Sequence, residues 1–259
     1  MDALIGHTGL VGNTLRRAYS FDALFRSTNI EDMRDQHFDV VVCAGARAEK
    51  WKANANPAAD AAGIARLTSV LETVTIKHLI LVSTIDVYPR PVAVDEATSI
   101  DDADAHAYGR NRRALESFCT EHFTSTIVRL PALFGVGLKK NVIFDLLHEN
   151  GVDRIHPDSA FQFYDLSRLW ADLVSIRATA LPLVNLVTEP VAMAAIAEQV
   201  FGRRLSPARD VVPARYDVTS RFAAQFGGRN GYWSDADDTL RRLDSFVSEA
   251  RRAIKAHDE

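Results

Sequence analysis

The sequence predicts an α/β protein, a doubly wound parallel sheet followed by a smaller C-terminal lobe, and two observations carry that prediction. The opening apolar run, Ala3-Leu4-Ile5, passes directly into Gly6, Gly9 and Gly12, and a helix-forming segment from Asn13 to Tyr19 follows. Behind it, strand-like and helix-like segments alternate as far as Leu130, which implies right-handed crossovers and helices on both faces of a parallel sheet. Strand, glycine turn and helix N-terminus in that order make a Rossmann-type unit. Gly6 permits the turn, Gly9 lets backbone approach a phosphate, and Gly12 lets helix and strand pack closely.

Taken in order, Phe21 to Arg26 reads as a short second strand. Residues 38–44, Phe-Asp-Val-Val-Val-Cys-Ala, are a nearly continuous β-branched run, the pattern of a strand buried on both faces. Pro57 opens a helix to Thr75, with Ile64, Leu67, Leu71 and Val74 at helical spacing. Lys77 to Val82 is the fourth strand, 104–122 a helix, and Ser125 to Leu130 the fifth strand.

Past Leu130, prolines and glycines break the pattern. Helices are expected near 139–149, 165–178 and 191–201, with a strand at Leu183–Val187. Aromatic-rich turns around Phe226–Trp233 precede a charged helix from Asp235, whose stripe of Leu240, Leu243, Val247, Ala250 and Ile254 is expected to dock on its own domain. Residues 1–134, with the late strand, are expected to form the cofactor core. Residues 135–259 are expected to form mainly a substrate lobe and the terminal helix.

The 259 residues are 47% hydrophobic and 25% charged, enough for a sizeable core and unlike a disordered chain. The net charge is −4 without a concentrated basic tract, so neither nucleic acid nor an acidic membrane is an expected partner. Cys43 and Cys119 show no paired spacing and read as reduced core thiols of a cytoplasmic protein. With a strand at the start, no signal peptide is expected, and no run is long enough for a membrane span. The eight histidines show no metal-ligand spacing, and no G-x-S-x-G elbow occurs.

Two clusters carry the chemistry. The fourth strand ends in Val82-Ser83-Thr84-Ile85-Asp86, and the next helix begins Tyr108-Gly109-Arg110-Asn111-Arg112. Residues four apart share a helix face, and a cation beside a phenol lowers its pKa toward that of a usable acid or base. A hydroxyl from Thr84 or Ser83 can polarise a substrate oxygen beside it. At the end of the second strand, where NAD-specific folds place an acid, stand Arg26-Ser27-Thr28, with no acid until Glu31. Arginine and hydroxyls suit a 2′-phosphate, so NADP is the expected cofactor and NAD the alternative.

These segments resemble the extended short-chain dehydrogenase/reductases, the NAD-dependent epimerase/dehydratase group, over nearly the whole chain. Gly6-x-x-Gly9-x-x-Gly12 matches that group's cofactor turn, and Ser83-Thr84-x-x-Val87-Tyr88 its Ser/Thr segment. Tyr108 stands where its catalytic tyrosine stands. Arg129-Leu130-Pro131-x-x-Phe134-Gly135 resembles the nicotinamide-side loop, and Asn185-Leu186-x-x-Glu189-Pro190-Val191 the late strand-to-helix junction. The resemblance implies that Thr84, Tyr108 and Arg112 are catalytic. It implies cofactor contacts from Gly6, Thr8, Gly9, Leu10, Val11, Gly12, Arg26 and Ser27. Further contacts would come from Ala44, Gly45, Ala46, Val82, Ser83, Tyr108, Arg112, Leu130, Pro131 and Leu133. Substrate contacts fall to Thr84, Asp86, Ala132, Lys139 and Asn141. Family members commonly dimerise through helices corresponding to 57–75 and 107–122, which implies a homodimer.

The departures matter as well. The family's lysine four after the tyrosine is Arg112, which keeps the charge and can grip ribose hydroxyls but cannot relay protons. Ala132 replaces a substrate-binding asparagine, leaving Lys139, Lys140 and Asn141 to supply a contact, and Ile64 also replaces an asparagine. Ile85-Asp86 lacks the acid pair of the dehydratases. The expected function is reduction of a keto group on a small molecule, a sugar or nucleotide sugar, with Tyr108 as acid/base, Thr84 orienting the carbonyl and Arg112 holding the ribose. The alternatives are an epimerase that retains its cofactor, and a cofactor-binding sensor or assembly protein with weak catalysis or none.

Overall fold

A computed structural model describes residues 1–206 and 211–258. The elements run β1 (Asp2–Ile5), α1 (Leu10–Ala18), β2 (Ala23–Phe25), β3 (His37–Cys43), α2 (Lys50–Ala55), α3 (Pro57–Leu71) and β4 (Thr75–Thr84). They continue with β5 (Val92–Val94), α4 (Ala107–His122), β6 (Ser125–Leu130), β7 (Ala132–Phe134), α5 (Val142–Leu147), β8 (Ala160–Phe161) and β9 (Phe163–Asp165). Then follow α6 (Leu169–Ala178), β10 (Leu183–Asn185), β11 (Val191–Ala192), α7 (Met193–Gln199), β12 (Asp217–Val218) and α8 (Ala236–Asp258). Two compact units result. The first comprises Met1–Arg90, Glu96–Leu130 and Arg168–Asn185; the second comprises Pro91–Asp95, Pro131–Ser167 and the chain from Leu186 onward.

The first unit holds a six-stranded sheet in the order β10-β6-β4-β3-β1-β2, with every pairing parallel. The predicted α/β, doubly wound, Rossmann-type class is therefore the observed one. After β2 the chain crosses to the other side of β1 to lay down β3, so the order reverses between β1 and β3. A crevice opens at the carboxyl end of such a switch point. β3 is central, and Val40, Val41, Val42 and Cys43 are all buried, as a two-faced strand requires. Ile64, Leu67, Val70 and Leu71 of α3 pack on this sheet with Leu115 and Cys119 of α4.

Several boundaries differ from the sequence expectation. α1 begins at Leu10, directly after Gly9, rather than at Asn13. α3 ends at Leu71 and β4 starts at Thr75, because the Thr75 N–H already donates to the Gln36 carbonyl across the sheet. β4 runs on to Thr84 because its pairing with β6 continues to Leu130, past Leu81, its last partner position with β3. α4 starts at Ala107, where the ring Nδ1 of His106 accepts from the Gly109 N–H at 3.0 Å.

The second unit is built from three two-stranded pairings, β11 with β8, β12 with β5 and β7 with β9. Its core gathers Ile143, Phe163, Met193, Ile196, Leu243 and Val247. Leu240, Leu243 and Val247 of the predicted stripe pack into this core, whereas Ile254 is 37% exposed. Val191 and Ala192, expected to start a helix, pair with β8 instead, and α7 begins at Met193.

Candidate active site

The glycine turn sits at the switch point. Gly6 has φ +88°, a left-handed conformation, and a Cβ there would run into the Ala44 carbonyl. A Cβ on Gly12 would collide with the Gly6 carbonyl, so the helix lies directly against the turn. The first helical bond runs from the Asn13 N–H to the Gly9 carbonyl at 2.8 Å, which leaves the amides of Leu10, Val11 and Gly12 ahead of it. No side chain caps α1 and its first turn carries no acid, while a Cβ on Gly9 would meet only the Gly6 oxygen, at 3.5 Å. An open, uncapped helix N-terminus of this kind fits a dinucleotide pyrophosphate. Within the turn, the buried Nδ1 of His7 has no hydrogen-bond partner, and burial, then Arg16 and Arg26, lower its pKa.

At the end of β2 the turn is tied by Asn29. Its Oδ1 accepts from the Arg26 N–H at 2.8 Å, and its Nδ2 donates to the Leu24 carbonyl at 3.1 Å. Arg66 of α3 donates to the Ser27 carbonyl at 3.0 Å, so a second guanidinium joins the exposed Arg26 there. Glu31, the first acid after β2, is already engaged by Arg34 at 2.8 Å and Arg66 at 2.9 Å.

The second cluster forms where β4 ends and α4 begins. Thr84 ends β4 beside Tyr108, where its hydroxyl favours the ionised phenol, and its Oγ1 accepts from the Asp86 N–H at 3.1 Å. The Arg112 guanidinium lies over the Tyr108 ring, 4.1 Å from its centroid. It also pairs with Asp60 of α3 and donates to the Arg47 carbonyl. The sequence expectation assigned Arg112 to a ribose; the structure engages its guanidinium within the protein, because Asp60 falls one turn inside α3 and faces it. Asp86 is paired as well, with the Lys50 ammonium at 2.7 Å.

The phenol departs from the sequence expectation. Burial raises the pKa of Tyr108 and outweighs the lowering by Arg112; Asp86 raises it further, while Lys50 and the Thr84 hydroxyl oppose. Tyr108 is 6% exposed, and taking a phenolate out of water costs more than one stacked cation returns. The cation is where the spacing placed it, but the net shift is upward.

The other expected residues divide between the units. Ala44 and Gly45 abut Gly6, and Ala46 packs against the sheet core. Val82 and Ser83 lie on β4, but the Ser83 hydroxyl donates to Glu116 Oε1 at 2.6 Å, inside a buried Glu116–Arg129 pair. Leu130 ends β6 in the first unit. Pro131, Ala132, Leu133, Lys139 and Asn141 belong to the second. The Asn141 side chain caps α5, accepting from Ile143 and Phe144, and its Nδ2 donates to the Leu133 carbonyl at 2.8 Å. Its amide is thus engaged at both ends, whereas Lys139 is exposed.

Lys50, Asn54, Asp60 and His106 surround the Tyr108 corner without having been singled out in the sequence. α2 is six residues long, too short for periodicity to reveal. His106 is a legible cap position, three residues before a helical Gly, but histidine is not a usual N-cap residue.

Comparison with known proteins adds the family. A search of curated proteins finds no match. The fold of UDP-glucose 4-epimerase from Thermotoga maritima, solved with UDP-glucose, is similar at a TM-score of 0.70 and 16% identity, covering 98% of this chain and 100% of that one. MoeE5, in complex with UDP-glucuronic acid and NAD, gives 0.73 and 15% over 97% and 99%. A dTDP-4-dehydrorhamnose reductase from Clostridium acetobutylicum gives 0.71 and 12% over 97% and 100%. Residues 19–150 match the family described as NAD dependent epimerase/dehydratase, and with the glycine turn and parallel sheet already in place, the chain belongs to that family.

Proposed function

We propose that this protein is an NADP(H)-dependent reductase of a keto group on a small molecule, a sugar or nucleotide sugar. The observation that carries the reading is Tyr108 at the head of α4 with the Arg112 guanidinium stacked on its ring, beside Thr84 at the carboxyl end of β4. When bound, the nicotinamide supplies the hydride. Tyr108 holds the proton that the carbonyl oxygen takes, and Thr84 orients that oxygen. Arg112, held by Asp60, stabilises the phenolate left behind through the ring face. Burial moves the phenol's pKa upward, so Tyr108 carries the proton that a reduction consumes.

Gly6, Gly9 and Gly12 with the amides of Leu10 and Val11 would hold the pyrophosphate. Arg26 and Arg66 beside Ser27, with Glu31 already paired, support a 2′-phosphate. The similar folds that bind UDP-sugars, and the similar dTDP-4-dehydrorhamnose reductase, support a nucleotide-linked substrate. A homodimer through α3 and α4 belongs to the same reading, with molar mass in solution as its test.

The test is calorimetric titration of cofactor-stripped protein with NADPH and NADH, repeated on Arg26→Ala. Preference for NADPH that the variant loses is the expected result, and binding of neither overturns the reading. An epimerase would hold its cofactor through turnover, whereas a reductase consumes it stoichiometrically. Tyr108→Phe abolishes either activity and leaves a non-catalytic binding function intact.

A further inference from the structure

Arg112 stands at the lysine position of the family motif, yet its guanidinium is held by Asp60 and by the Arg47 carbonyl. A second cation acts on the same phenol through its field, from another element. Lys50, the first residue of α2, places its ammonium 2.7 Å from Asp86 Oδ1, and the Asp86 N–H donates to Thr84 Oγ1 at 3.1 Å. α2 is itself fastened to the catalytic helix, since Asn54 Oδ1 accepts from the Tyr108 N–H at 3.0 Å. Backbone and side-chain contacts therefore hold Lys50, Asp86, Thr84 and Tyr108 in one corner of the first unit.

The charged and titratable groups around the phenol are few. The charges of Lys50 on α2 and Asp86 in the turn after β4 act on it, and Arg112 stacks on it from its own helix, with Asp60 of α3 paired to Arg112. The His106 ring centre lies 6.1 Å from that of Tyr108, and burial, then Lys50, keep this imidazole below its ordinary pKa. Arg110 acts on His106 in the same sense. Asp86 is the one carboxylate in this set that bears directly on Tyr108 without Arg112 between them. A carboxylate so close disfavours a phenolate unless a cation covers it.

We propose that Lys50 is a positioning residue for Tyr108: paired with Asp86, it covers the carboxylate facing the phenol and supplies from α2 the ammonium that α4 lacks. The inference rests on the reading of Tyr108 as the acid of the reaction. No proton passes through Lys50. It acts through the field of the pair.

The experiment replaces Tyr108 with 3,5-difluorotyrosine, whose phenol titrates near neutrality, in the cofactor-free full chain and follows its fluorine resonance against pH. Lys50→Met is expected to raise the midpoint by about half a unit to one unit, the pair being partly screened by solvent. Asp86→Asn lowers it, the double variant returns it close to the starting value, and Lys50→Arg, which keeps the charge, leaves it unchanged. A role of Lys50 in folding alone would not produce opposite shifts that cancel. A Lys50→Met midpoint equal to that of the parent overturns the proposal. Should that variant fail to fold, an unmoved midpoint in Asp86→Asn overturns it equally. Because the titration needs no turnover, the expected shifts in a protein that reduces no substrate would uphold the effect of the Lys50–Asp86 pair on Tyr108 and refute the reductase reading. Turnover with unmoved midpoints would do the reverse.

Discussion

Arg112 and Asp60 form an ion pair whose side chains are 4% and 8% exposed, and the same guanidinium stacks 4.1 Å from the centre of the Tyr108 ring. One buried cation thus ties α3 to α4 and backs the candidate acid. Removing it takes the cation from a carboxylate where water is scarce, leaving Asp60 the Asn111 amide at 2.8 Å. Arg112→Met is expected to cost about 3 kcal/mol of stability in urea unfolding. Arg112→Lys keeps the charge but not the planar fork, reaches one acceptor instead of two, and costs about 1 kcal/mol. A stability of Arg112→Met equal to that of the parent protein would contradict the engaged guanidinium.

A second buried network lies beneath the site. Arg129 donates from Nε and Nη2 to the two Glu116 oxygens at 2.9 and 2.6 Å, and from Nη1 to the Tyr88 hydroxyl at 2.8 Å. Asn185 Nδ2 donates to the same hydroxyl at 3.0 Å. Tyr88→Phe leaves both donors without that acceptor and is expected to cost about 2 kcal/mol. It is expected to leave NADPH affinity unchanged, since Tyr88 is buried and bonded to Arg129 and Asn185. Loss of affinity at unchanged stability would show that Tyr88 reaches the ligand.

The glycines of the turn separate folding from binding. Gly6→Ala and Gly12→Ala drive a methyl group into backbone carbonyls and are expected to lower the melting temperature sharply. A methyl on Gly9 has room, so Gly9→Ala is expected to keep stability within about 0.5 kcal/mol. It weakens calorimetric NADPH binding instead, by narrowing the approach to the α1 amides. Full affinity in Gly9→Ala would argue against a phosphate at this helix.

Acid sensitivity follows from three histidines. His7, His78 and His106 all have lowered pKa values, each chiefly through burial, against an ordinary value of 6.5. A lowered folded-state pKa means the unfolded chain takes up protons first. Stability is therefore full above about pH 6.5 and is lost as pH falls below it. His106 adds a structural reason, because its Nδ1 must stay unprotonated to accept from Gly109. The urea midpoint is expected to fall between pH 7.5 and 5.5, and His106→Asn, a cap that does not titrate there, flattens the slope. An unchanged slope in that variant would remove His106 from the account.

Much of the fold was legible along the chain. The glycine turn, the β-branched run of β3 and the proline at the head of α3 are local signals, each produced by a few adjacent residues, and the sheet they imply is the one observed. The spacing from Tyr108 to Arg112 put a cation on the phenol because helical geometry alone does that. What that cation accomplishes was not legible. Burial of Tyr108, Asp60 one turn into α3, and Lys50 on a helix too short to show a period all come from elements distant in sequence. A pKa sums desolvation and charge over everything that folds around a group, so the tertiary structure alone decided that the phenol's pKa moves up rather than down, that Arg112 is engaged by Asp60, and that Asp86 is covered by Lys50.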